Sequence, residues 1–408
     1  MKFHWFHLMP YQELPADFTQ KHRSVWVDVP RSLYDPNKGS RMYHEYLDEL
    51  EFADQMGYDG VCVNEHHSNA YGLMPSPNLM GSILARSTKN AAVVVLGNSV
   101  ALYNPPIRVA EEFAMLDVLS QGRLVAGFPV GSSMDTNYAY GVPPADLRAR
   151  YYEAADLIVK AWTTPEPFAY NGEYTQLRYV NVWPQPIQQP HPPIWVPGGG
   201  SVETWDWTTE KDYVYCYLSY YGHKYAKRVM NGFWETVDRL GGHDNPFRAG
   251  FAQVIGVAES DEQAEEYYSE AADYLYQRCL HVYPGFAEAP GYRTVRTLKS
   301  GMISQFGMTA SATRKALSWK EYIDQGYVVA GSPATVRDQL REFIKDCRIG
   351  QLMLLMHFGN LSKERTLENT QRFAQEVMPH LRDIWPQYED KWYPSGAGRH
   401  ASVPVSAR

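Results

Sequence analysis

The chain has 408 residues, of which 44% are hydrophobic and 14% aromatic, enough to bury the core of one large domain or two ordinary ones. Its formal net charge is −8, with lysine and arginine scattered, which excludes a basic stripe for nucleic acid and a polybasic segment for an anionic membrane. No apolar run approaches the roughly 20 residues that cross a bilayer, and the first residues, MKFHWFHLMP, lack the basic start and cleavage site of a signal peptide. The four cysteines lie far apart without a CxxC pair, as is typical of reduced thiols. We therefore expect a soluble, cytoplasmic protein that binds neither nucleic acid nor membranes.

Short apolar or β-branched runs alternate with helical patterns along most of the chain, as in repeated βα units. Eight runs are predicted to be strands, at residues 2–8, 58–64, 92–102, 123–128, 194–197, 213–217, 250–257 and 351–357. Patterns with apolar residues recurring at three and four predict helices at residues 42–57, 107–122, 146–162 and 260–279. Eight strands each followed by a helix predict the α/β class and a (β/α)8 TIM barrel, with a doubly wound open sheet as the alternative.

The chain is longer than a barrel needs. A barrel typically takes about 250 residues, so about 150 are expected in insertions. We predict these after strands 1, 4 and 7, at residues 11–40, 171–193 and 281–327, the second of them a small hairpin with a proline-rich lead-in. The first and third are expected over the C-terminal mouth, where long loops serve as lids or binding loops. Residues 1–382 then form a single barrel and residues 383–408 a partly disordered C-terminal extension.

Glu65, His66 and His67 directly follow the apolar run of the second predicted strand. Adjacent residues of a strand point to opposite faces and the HExxH spacing is absent, so the triplet does not predict a metal site. At the C-terminal end of a barrel strand, a histidine that titrates near neutrality can move a proton or hold an anion. The alternative is structural, with Glu65 and one histidine hydrogen-bonding neighbouring loops. The residues alone leave both interpretations open.

Two glycine-rich turns follow predicted strands and precede helices, at residues 129–132 (PVGS) and 198–201 (GGGS). Backbone N–H groups of such turns, with Ser201 and Thr204 at a helix N-terminus, can bind a phosphate. Neither turn matches GxGxxG or the P-loop, and each alone is more often an ordinary tight turn. Two of them in one sheet indicate a phosphate-bearing cofactor. Arg148, Arg150 and Tyr138 lie near the first turn in sequence, although a solvated helix face is the alternative for each arginine.

Asn98 and Ser99 are polar residues inside the third predicted strand, where buried polar groups need hydrogen-bond partners. The 30 tyrosines and 11 tryptophans are mostly core and lid residues. An apolar pocket with few polar groups is nevertheless what a planar cofactor and an organic substrate would need.

Several motifs in a fixed order resemble the bacterial luciferase-like flavin monooxygenases over most of residues 1–382. They are MKFHWF, ELEFADQMGYDGVCVNEHH, the block NPPIRVAEEFAMLDVLSQGRLVAGFPVG at residues 104–131, PPIWVPGGGS and GSPATVRDQL. The resemblance implies a TIM barrel that takes reduced FMN from a separate flavin reductase. With O2 and through a flavin C4a-hydroperoxide, it would hydroxylate, or insert oxygen into, a small and largely apolar organic substrate. It also makes a homodimer, formed through helices early in the chain, an expectation.

The same resemblance assigns roles to individual residues and no metal ligand. His66 resembles the family's catalytic histidine, which stabilises or protonates the oxygenated flavin, with Glu65 as its orienting or structural neighbour. The implied cofactor-binding residues are Tyr138, Arg148, Gly200, Ser201 and Thr204 around the phosphate, and Asn98, Ser99, Pro129 and Val130 along the flavin ring. A non-prolyl cis peptide is expected near Ser99 and Val100.

The chain also departs from the family pattern. The alpha-type luciferase has a reactive cysteine and an arginine where this chain has Pro129 and Val130, so neither role carries over. The long first loop and the NVWPQPIQQPHPP segment are absent from luciferase itself, which indicates a different substrate and no light emission. The alternatives are a deazaflavin-dependent oxidoreductase on the same barrel, a non-catalytic flavin-binding protein, which would lack the catalytic histidine, and a metal-dependent barrel hydrolase.

Overall fold

The computed structural model describes residues 1–218, 220, 222–287, 290–300 and 316–398. Its strands are β1 (Lys2–Phe6), β2 (Gly60–Val63), β3 (Ala92–Val95), β4 (Leu124–Gly127), β5 (Phe168–Asn171), β6 (Gln176–Val180), β7 (Ile194–Gly198), β8 (Val214–Tyr217), β9 (Ala249–Val257), β10 (Val328–Gly331) and β11 (Gln351–Leu355). Its helices are α1 (Phe18–Lys21), α2 (Pro36–Gln55), α3 (Pro77–Ser87), α4 (Ile107–Leu119), α5 (Met134–Tyr140), α6 (Leu147–Thr163), α7 (Val202–Glu210), α8 (His223–Arg239), α9 (Asp261–Asp273), α10 (Pro284–Ala287), α11 (Val295–Lys299), α12 (Trp319–Asp324), α13 (Pro333–Cys347) and α14 (Lys363–Arg372). Within the described residues, no helix combines the length and the apolar character needed to cross a membrane.

Eight strands close into a parallel barrel in the order β1-β2-β3-β4-β7-β8-β9-β11, and β11 pairs back with β1. Every residue of β2, β3 and β4 is buried. Strands covered by side chains on the inside and helices on the outside are apolar throughout, which is why runs such as AVVV predicted them. The predicted (β/α)8 barrel is confirmed, and the doubly wound open sheet is wrong.

One further parallel strand, β10, was not predicted. It pairs with the far end of β9, from Val328 with Val254 to Gly331 with Val257, whereas the first part of β9 belongs to the barrel. Its four residues, VVAG, follow directly on the third insertion, so their pattern is too short to stand out. Because β9 is nine residues long, its last residues extend beyond the barrel and can pair with β10.

The third strand is shorter than predicted, since β3 ends at Val95 and Val100–Leu102 form a 3-10 turn. The chain beyond β3 passes close to the end of β2, where a Cβ on Gly97 would lie 2.9 Å from the Glu65 backbone nitrogen. The turn directs the Ser99 N–H to the Glu65 carboxylate instead of to a strand partner.

The insertions lie where the sequence predicted them. The second contains the antiparallel hairpin of β5 and β6. The first and third meet at the barrel mouth, where the Val25 N–H donates to the His281 carbonyl over 2.8 Å. The third contains α10, α11 and α12, while its residues 288–289 and 301–315 lie outside the described part of the chain.

The segment after the barrel packs against the N-terminal ends of the strands. The Tyr393 hydroxyl donates to the Asp59 carbonyl (2.6 Å), the Trp392 indole to the Asp212 carbonyl (2.7 Å) and the Gly398 N–H to the Asn90 carbonyl (2.8 Å). Residues 383–398 of the extension therefore close the bottom of the barrel. The expected disorder also concerns residues 399–408, which lie outside the described residues.

Candidate active site

A cleft opens at the C-terminal ends of β2, β3, β4, β7 and β8 and contains about 1180 Å³ of atom-free space, its open mouth included. A concave site lined by segments that follow five neighbouring strands is where a barrel protein is expected to bind a ligand. Its wall includes Trp26 from the first insertion and Tyr292 and Thr297 from the third. The C-terminal ends of the strands are where barrel enzymes carry out their chemistry.

His66 lines this cleft, and a buried carboxylate holds its ring. Its Nδ1 lies 2.9 Å from the Asp135 Oδ2, and its side chain is 17% exposed, against 0% for that of Asp135. Burial alone would raise the pKa of Asp135, but the His66 ring, Ser133 and the His67 N–H together hold that pKa below its usual range. An ionised Asp135 accepts a hydrogen bond from the Nδ1–H of His66. The His66 Nε2 makes no hydrogen bond to any described residue, so it remains available on the ring that lines the cleft.

Glu65 organises the base of the cleft from a buried carboxylate, which is 5% exposed. It accepts hydrogen bonds from the Ser99 N–H (2.7 Å), the Asn98 amide (3.3 Å) and the hydroxyls of Tyr103 (3.3 Å) and Tyr140 (3.2 Å). Because the donors come from the segments after β3 and β4, the carboxylate ties three successive strand ends together. Burial and the nearby Glu65 charge raise the pKa of Tyr140 to about 12, which keeps its hydroxyl a donor.

His67 differs from its neighbour. Its Nε2 lies 2.8 Å from the Glu65 Oε1 and its backbone N–H donates to Asp135, whereas its side chain is absent from the cleft wall. The two histidines thus divide the roles that the sequence left open. His66 faces the cleft, and His67 and Glu65 form the structural support.

A cluster of hydrogen-bond donors lies on the far side of the cleft, at the N-terminus of α7, and we call Arg148, Ser201 and Thr204 the cradle. The Arg148 guanidinium donates to the Ser201 hydroxyl over 2.8 Å and to the Thr204 hydroxyl over 3.3 Å. The Arg148 Nε is buried and has no hydrogen-bond partner among the described residues. A Cβ on Gly199 would meet nothing within 4 Å, so the turn leaves open space beside the cradle. Helix N-termini with such donors favour phosphate.

Glu203 competes for the donors of this cradle. Its carboxylate accepts from the hydroxyls of Ser201 (3.0 Å) and Thr297 (2.6 Å) and from that of Thr294. Although burial opposes ionisation, these hydroxyl donors lower the pKa of Glu203 to about 2, so it is an anion at neutral pH. A phosphate that binds here must replace Glu203 as the acceptor of the hydrogen bond from the Ser201 hydroxyl.

The predicted cofactor residues are not all in the cleft wall. Ser99, Pro129, Val130, Ser201 and Thr204 line it, and Arg148 lies behind the last two. Asn98 is fully buried beneath the wall and supports Glu65. Gly200 (φ +98°) turns the backbone towards Val229. Tyr138 is 58% exposed on α5 and packs on Phe286, outside the cleft wall.

Sequence reasoning missed several residues that the fold brings to the site. Asp135 is the second residue of α5 and lies three residues after the first glycine-rich turn, and only its burial, at 1% exposed, indicates that it could be a partner for His66. Trp26 and Tyr71 lie in irregular segments that carry no periodic signal. The expected cis peptide near Ser99 is wrong, because the cis bonds of the described residues precede Pro105, Pro184 and Pro190.

A second histidine cluster lies at the other side of the barrel mouth. His7, Glu49 and His357 are buried with potential ligand atoms within 4.8 Å of one another. The His7 Nδ1 accepts from the Met9 N–H (2.9 Å) and the His357 Nε2 lies 3.1 Å from the Gln12 amide nitrogen, so the other nitrogen of each ring carries the proton, and both donate to Glu49. A metal needs those nitrogens deprotonated. The hydrogen bonds therefore favour a structural cluster.

The comparisons with known proteins agree with this geometry. The model of the luciferase-like monooxygenase family matches residues 22–347. The chain belongs to the luciferase-like, flavin-dependent monooxygenase family. Limonene 1,2-monooxygenase of Rhodococcus erythropolis is 26% identical over 356 residues, which cover 84% of this chain and 83% of that protein.

Solved structures share the fold of this monooxygenase. The oxygenating constituent of 3,6-diketocamphane monooxygenase from Pseudomonas putida, a type II Baeyer-Villiger monooxygenase in complex with FMN, superposes with a TM-score of 0.71 at 18% identity and covers 93% of this chain and 98% of that one. An F420-dependent secondary alcohol dehydrogenase, in complex with an F420-acetone adduct, gives 0.65 at 16% identity and covers 94% and 99%. At such low sequence identity these structures establish the barrel fold, and the cofactor has to be inferred from the residues of the cleft.

The residues of the monooxygenase fit a flavin phosphate. The unsatisfied Arg148 Nε, the hydroxyls of Ser201 and Thr204 and the open turn at Gly199 form a donor set for an anion. The apolar residues Pro129 and Val130, with Ser99, line the wall between this cradle and His66. The cleft can therefore accommodate a molecule that has a phosphate at one end and a planar ring near His66.

Proposed function

We propose that this monooxygenase takes reduced FMN from a separate flavin reductase and uses O2 to hydroxylate, or insert oxygen into, a small and largely apolar organic molecule. One observation carries the proposal: the same cleft has the Arg148 cradle at one side and a His66 held by Asp135 at the other. When bound, reduced flavin supplies the electrons that allow one oxygen atom of O2 to reach a substrate.

The protein's own residues have separate tasks in this proposal. Arg148, Ser201 and Thr204 hold the phosphate, and the carboxylate of Glu203 accepts the hydrogen bond of the Ser201 hydroxyl until the phosphate replaces it. Glu65 fixes the Ser99 backbone that forms the wall of the ring site. Each of these contacts binds or orients, and none needs to move during the reaction.

His66 is the residue that holds or moves a proton. Asp135 keeps a proton on Nδ1, so Nε2 is the atom that can donate to, or accept from, a group in the cleft. Trp26 and Tyr71 pack around the ring, with centroid distances of 5.8 Å and 4.7 Å. Packing of this kind limits the access of water, which protects an oxygenated cofactor from wasteful breakdown.

The test is titration with reduced FMN under anaerobic conditions, followed by O2 and a panel of apolar substrates. We expect saturable binding, O2 uptake and oxygenated product. The His66→Ala variant should bind FMN nearly as well and form roughly 100-fold less product, in the usual range for a lost general acid or base. Unchanged product formation in this variant would contradict the role of His66.

The alternative hypothesis, a deazaflavin-dependent oxidoreductase on the same barrel, makes a different prediction, because hydride transfer does not use O2. An F420-dependent enzyme shares this fold, so the fold does not distinguish a flavin-dependent from a deazaflavin-dependent enzyme. Substrate turnover with reduced F420 and no O2 uptake with reduced FMN would favour the deazaflavin enzyme. A non-catalytic flavin-binding protein would bind FMN without turnover in any variant.

The proposal includes a homodimer in the cytoplasm. Five apolar side chains are exposed on the adjacent helices α3 and α4: Leu79, Ile83, Met115, Val118 and Leu119. A partner that covers them would remove an apolar patch from water. The four free and buried cysteines fit a reducing compartment. Light scattering should give twice the chain mass, and Leu79→Glu should give monomers.

A further inference from the structure

Three aromatic rings form a corner of the cleft that the proposed cofactor contacts do not explain. The centroids of Trp26 and Tyr71 lie 5.8 Å apart, and the His66 ring lies 5.8 Å from the first and 4.7 Å from the second. Trp26 and Tyr71 are 2% and 1% exposed, and both line the cleft. We call Trp26, Tyr71 and His66 the aromatic corner.

Strained backbone holds the corner in place. Trp26 and Asn69 form an isolated antiparallel bridge, and the residues beside them, Val27 (φ 70°) and Ser68 (φ 49°), both have left-handed backbone. A β-branched residue rarely adopts this conformation, because its side chain collides with the backbone. The surrounding structure must therefore enforce it, which is typical of functional sites.

The bridge also connects the corner to the partner of His66. The Asn69 amide donates to the Asp135 Oδ2 (3.2 Å), the oxygen that also accepts from His66. The Val27 N–H donates to the Ser68 carbonyl over 2.8 Å. The indole and the imidazole are thus fixed relative to each other by one continuous set of hydrogen bonds.

The corner lies apart from the anion cradle in the barrel. Its residues come from segments after β1 and β2, whereas Ser201 and Thr204 of the cradle follow β7, and β3 and β4 lie between β2 and β7 in the sheet order. Its charged neighbours are engaged, since Glu65 and Asp135 accept hydrogen bonds from protein donors. The corner thus offers apolar side chains, and neither carboxylate needs a hydrogen-bond donor from a ligand.

We propose that Trp26 and Tyr71 form the substrate wall of the proposed monooxygenase and select an uncharged planar ring compound that lies against the indole, next to the His66 Nε2. This rests on the proposed function. Rigid aromatic side chains contribute contact area at little cost in conformational entropy, and paired rings favour offset or edge-to-face geometry. A flexible chain would lose more conformational freedom against the same wall.

The experiment compares three probes by calorimetry on the full chain, with and without saturating FMN. They are quinoline, the N-methylquinolinium cation and nonanal, a chain with as many non-hydrogen atoms as quinoline. We expect quinoline to bind at least tenfold more tightly than the other two. Equal or tighter binding of nonanal would overturn the ring selection, and tighter binding of the cation would overturn the uncharged class.

Variants connect the binding to the corner. Trp26→Leu should weaken quinoline binding at least tenfold and leave FMN affinity unchanged, whereas Trp183→Leu, a control at an indole that is 80% exposed, should change neither. Val27→Gly should weaken quinoline binding about threefold without lowering the melting temperature, because glycine accepts the left-handed backbone but holds the indole less firmly. Unchanged quinoline binding in Trp26→Leu would overturn the proposal.

The result is separable from the proposed function. If the wild type binds no FMN, the monooxygenase proposal fails, while the contrast between probes and between Trp26 variants still tests the corner. If FMN binds and quinoline does not, only the substrate inference fails.

Discussion

Two histidine–carboxylate groups lie at the C-terminal ends of the barrel strands, and they differ in what surrounds the second ring nitrogen. His7 and His357 share Glu49, and both nitrogens of each ring have partners in a cluster that is at most 1% exposed. His66 has one partner, Asp135, and its Nε2 belongs to a ring that lines the cleft. The same residue types thus form a cross-link in one place and, in the proposed function, a proton-transfer group in the other.

The two groups should also contribute differently to the stability of the fold. The His7 cluster connects β1, α2 and the segment after β11, so its hydrogen bonds hold distant parts of the chain together. The His66–Asp135 pair connects the segments after β2 and β4, but the His66 Nε2 has no hydrogen-bond partner among the described residues. We expect the first group to determine stability and the second to determine turnover.

The largest effect is expected from Glu49→Ala. It leaves two buried imidazole N–H groups without an acceptor, at about 1–3 kcal/mol each, so the free energy of unfolding should fall by about 3 kcal/mol or more. Urea unfolding measures this. Glu266→Ala, at an exposed site on α9, is the control and should stay within about 0.5 kcal/mol of the wild type. Equal midpoints for the two variants would show that the cluster does not stabilise the fold.

The second largest effect is expected on acidification, which should lower the stability that the buried His7 contributes. Burial lowers the pKa of His7 from its ordinary 6.5 to about 4. Below about pH 6.5 the unfolded chain takes up a proton that the folded protein refuses, so stability is fully present above that pH. It is lost on the way down to about pH 4, by about 3 kcal/mol.

Unfolding midpoints between about pH 7 and 5 measure this loss. His7→Gln should show a shallower dependence on pH than the wild type, because it lacks the group that the unfolded chain protonates. A slope for His7→Gln as steep as that of the wild type would assign the acid sensitivity to other groups.

Asp135→Asn tests the open site. Removing the negative charge next to the His66 Nδ1 weakens the hydrogen bond that orients the ring, so kcat/KM should fall about tenfold. FMN affinity should stay unchanged. Asp383→Asn, at an exposed position, is the control. An unchanged kcat/KM in Asp135→Asn would show that this carboxylate does not support the role of His66.

The smallest effect is expected from Glu203→Gln. The substitution removes an anion from the phosphate cradle and retains a hydrogen-bond acceptor, so FMN should bind about three- to tenfold more tightly at low salt. The gain should shrink as salt screens the charge. Glu210→Gln, at an exposed position on the same helix, should change the affinity little. Weaker binding by Glu203→Gln would show that its carboxylate supports the cradle.

Much of the fold could be predicted from the chain. All eight predicted strands are present, because parallel strands buried on both faces must be apolar throughout and are easy to see. β10 escaped prediction because four residues beside a long insertion carry too little pattern. The end of β3 was misjudged because a contact between Gly97 and Glu65, distant in sequence, turns the chain.

The candidate site was only partly predictable. Strand-end placement identified the EHH triplet, and glycine-rich turns indicated a phosphate site, since both signals are local. The roles of His66 and His67 differ only through Asp135, which is 69 residues away along the chain from the first of them. Tyr138 was expected at the phosphate by analogy with the family and instead lies 58% exposed on α5.

The sequence by itself therefore determined the barrel, the family and the strand ends at which chemistry can occur, because hydrophobic period and local turns encode them. The tertiary structure alone decided which histidine has a free nitrogen at the cleft, that Glu203 competes for the cradle and that Trp26 reaches the His66 ring. These outcomes depend on contacts between segments far apart in the chain, and such contacts leave no periodic trace in the sequence.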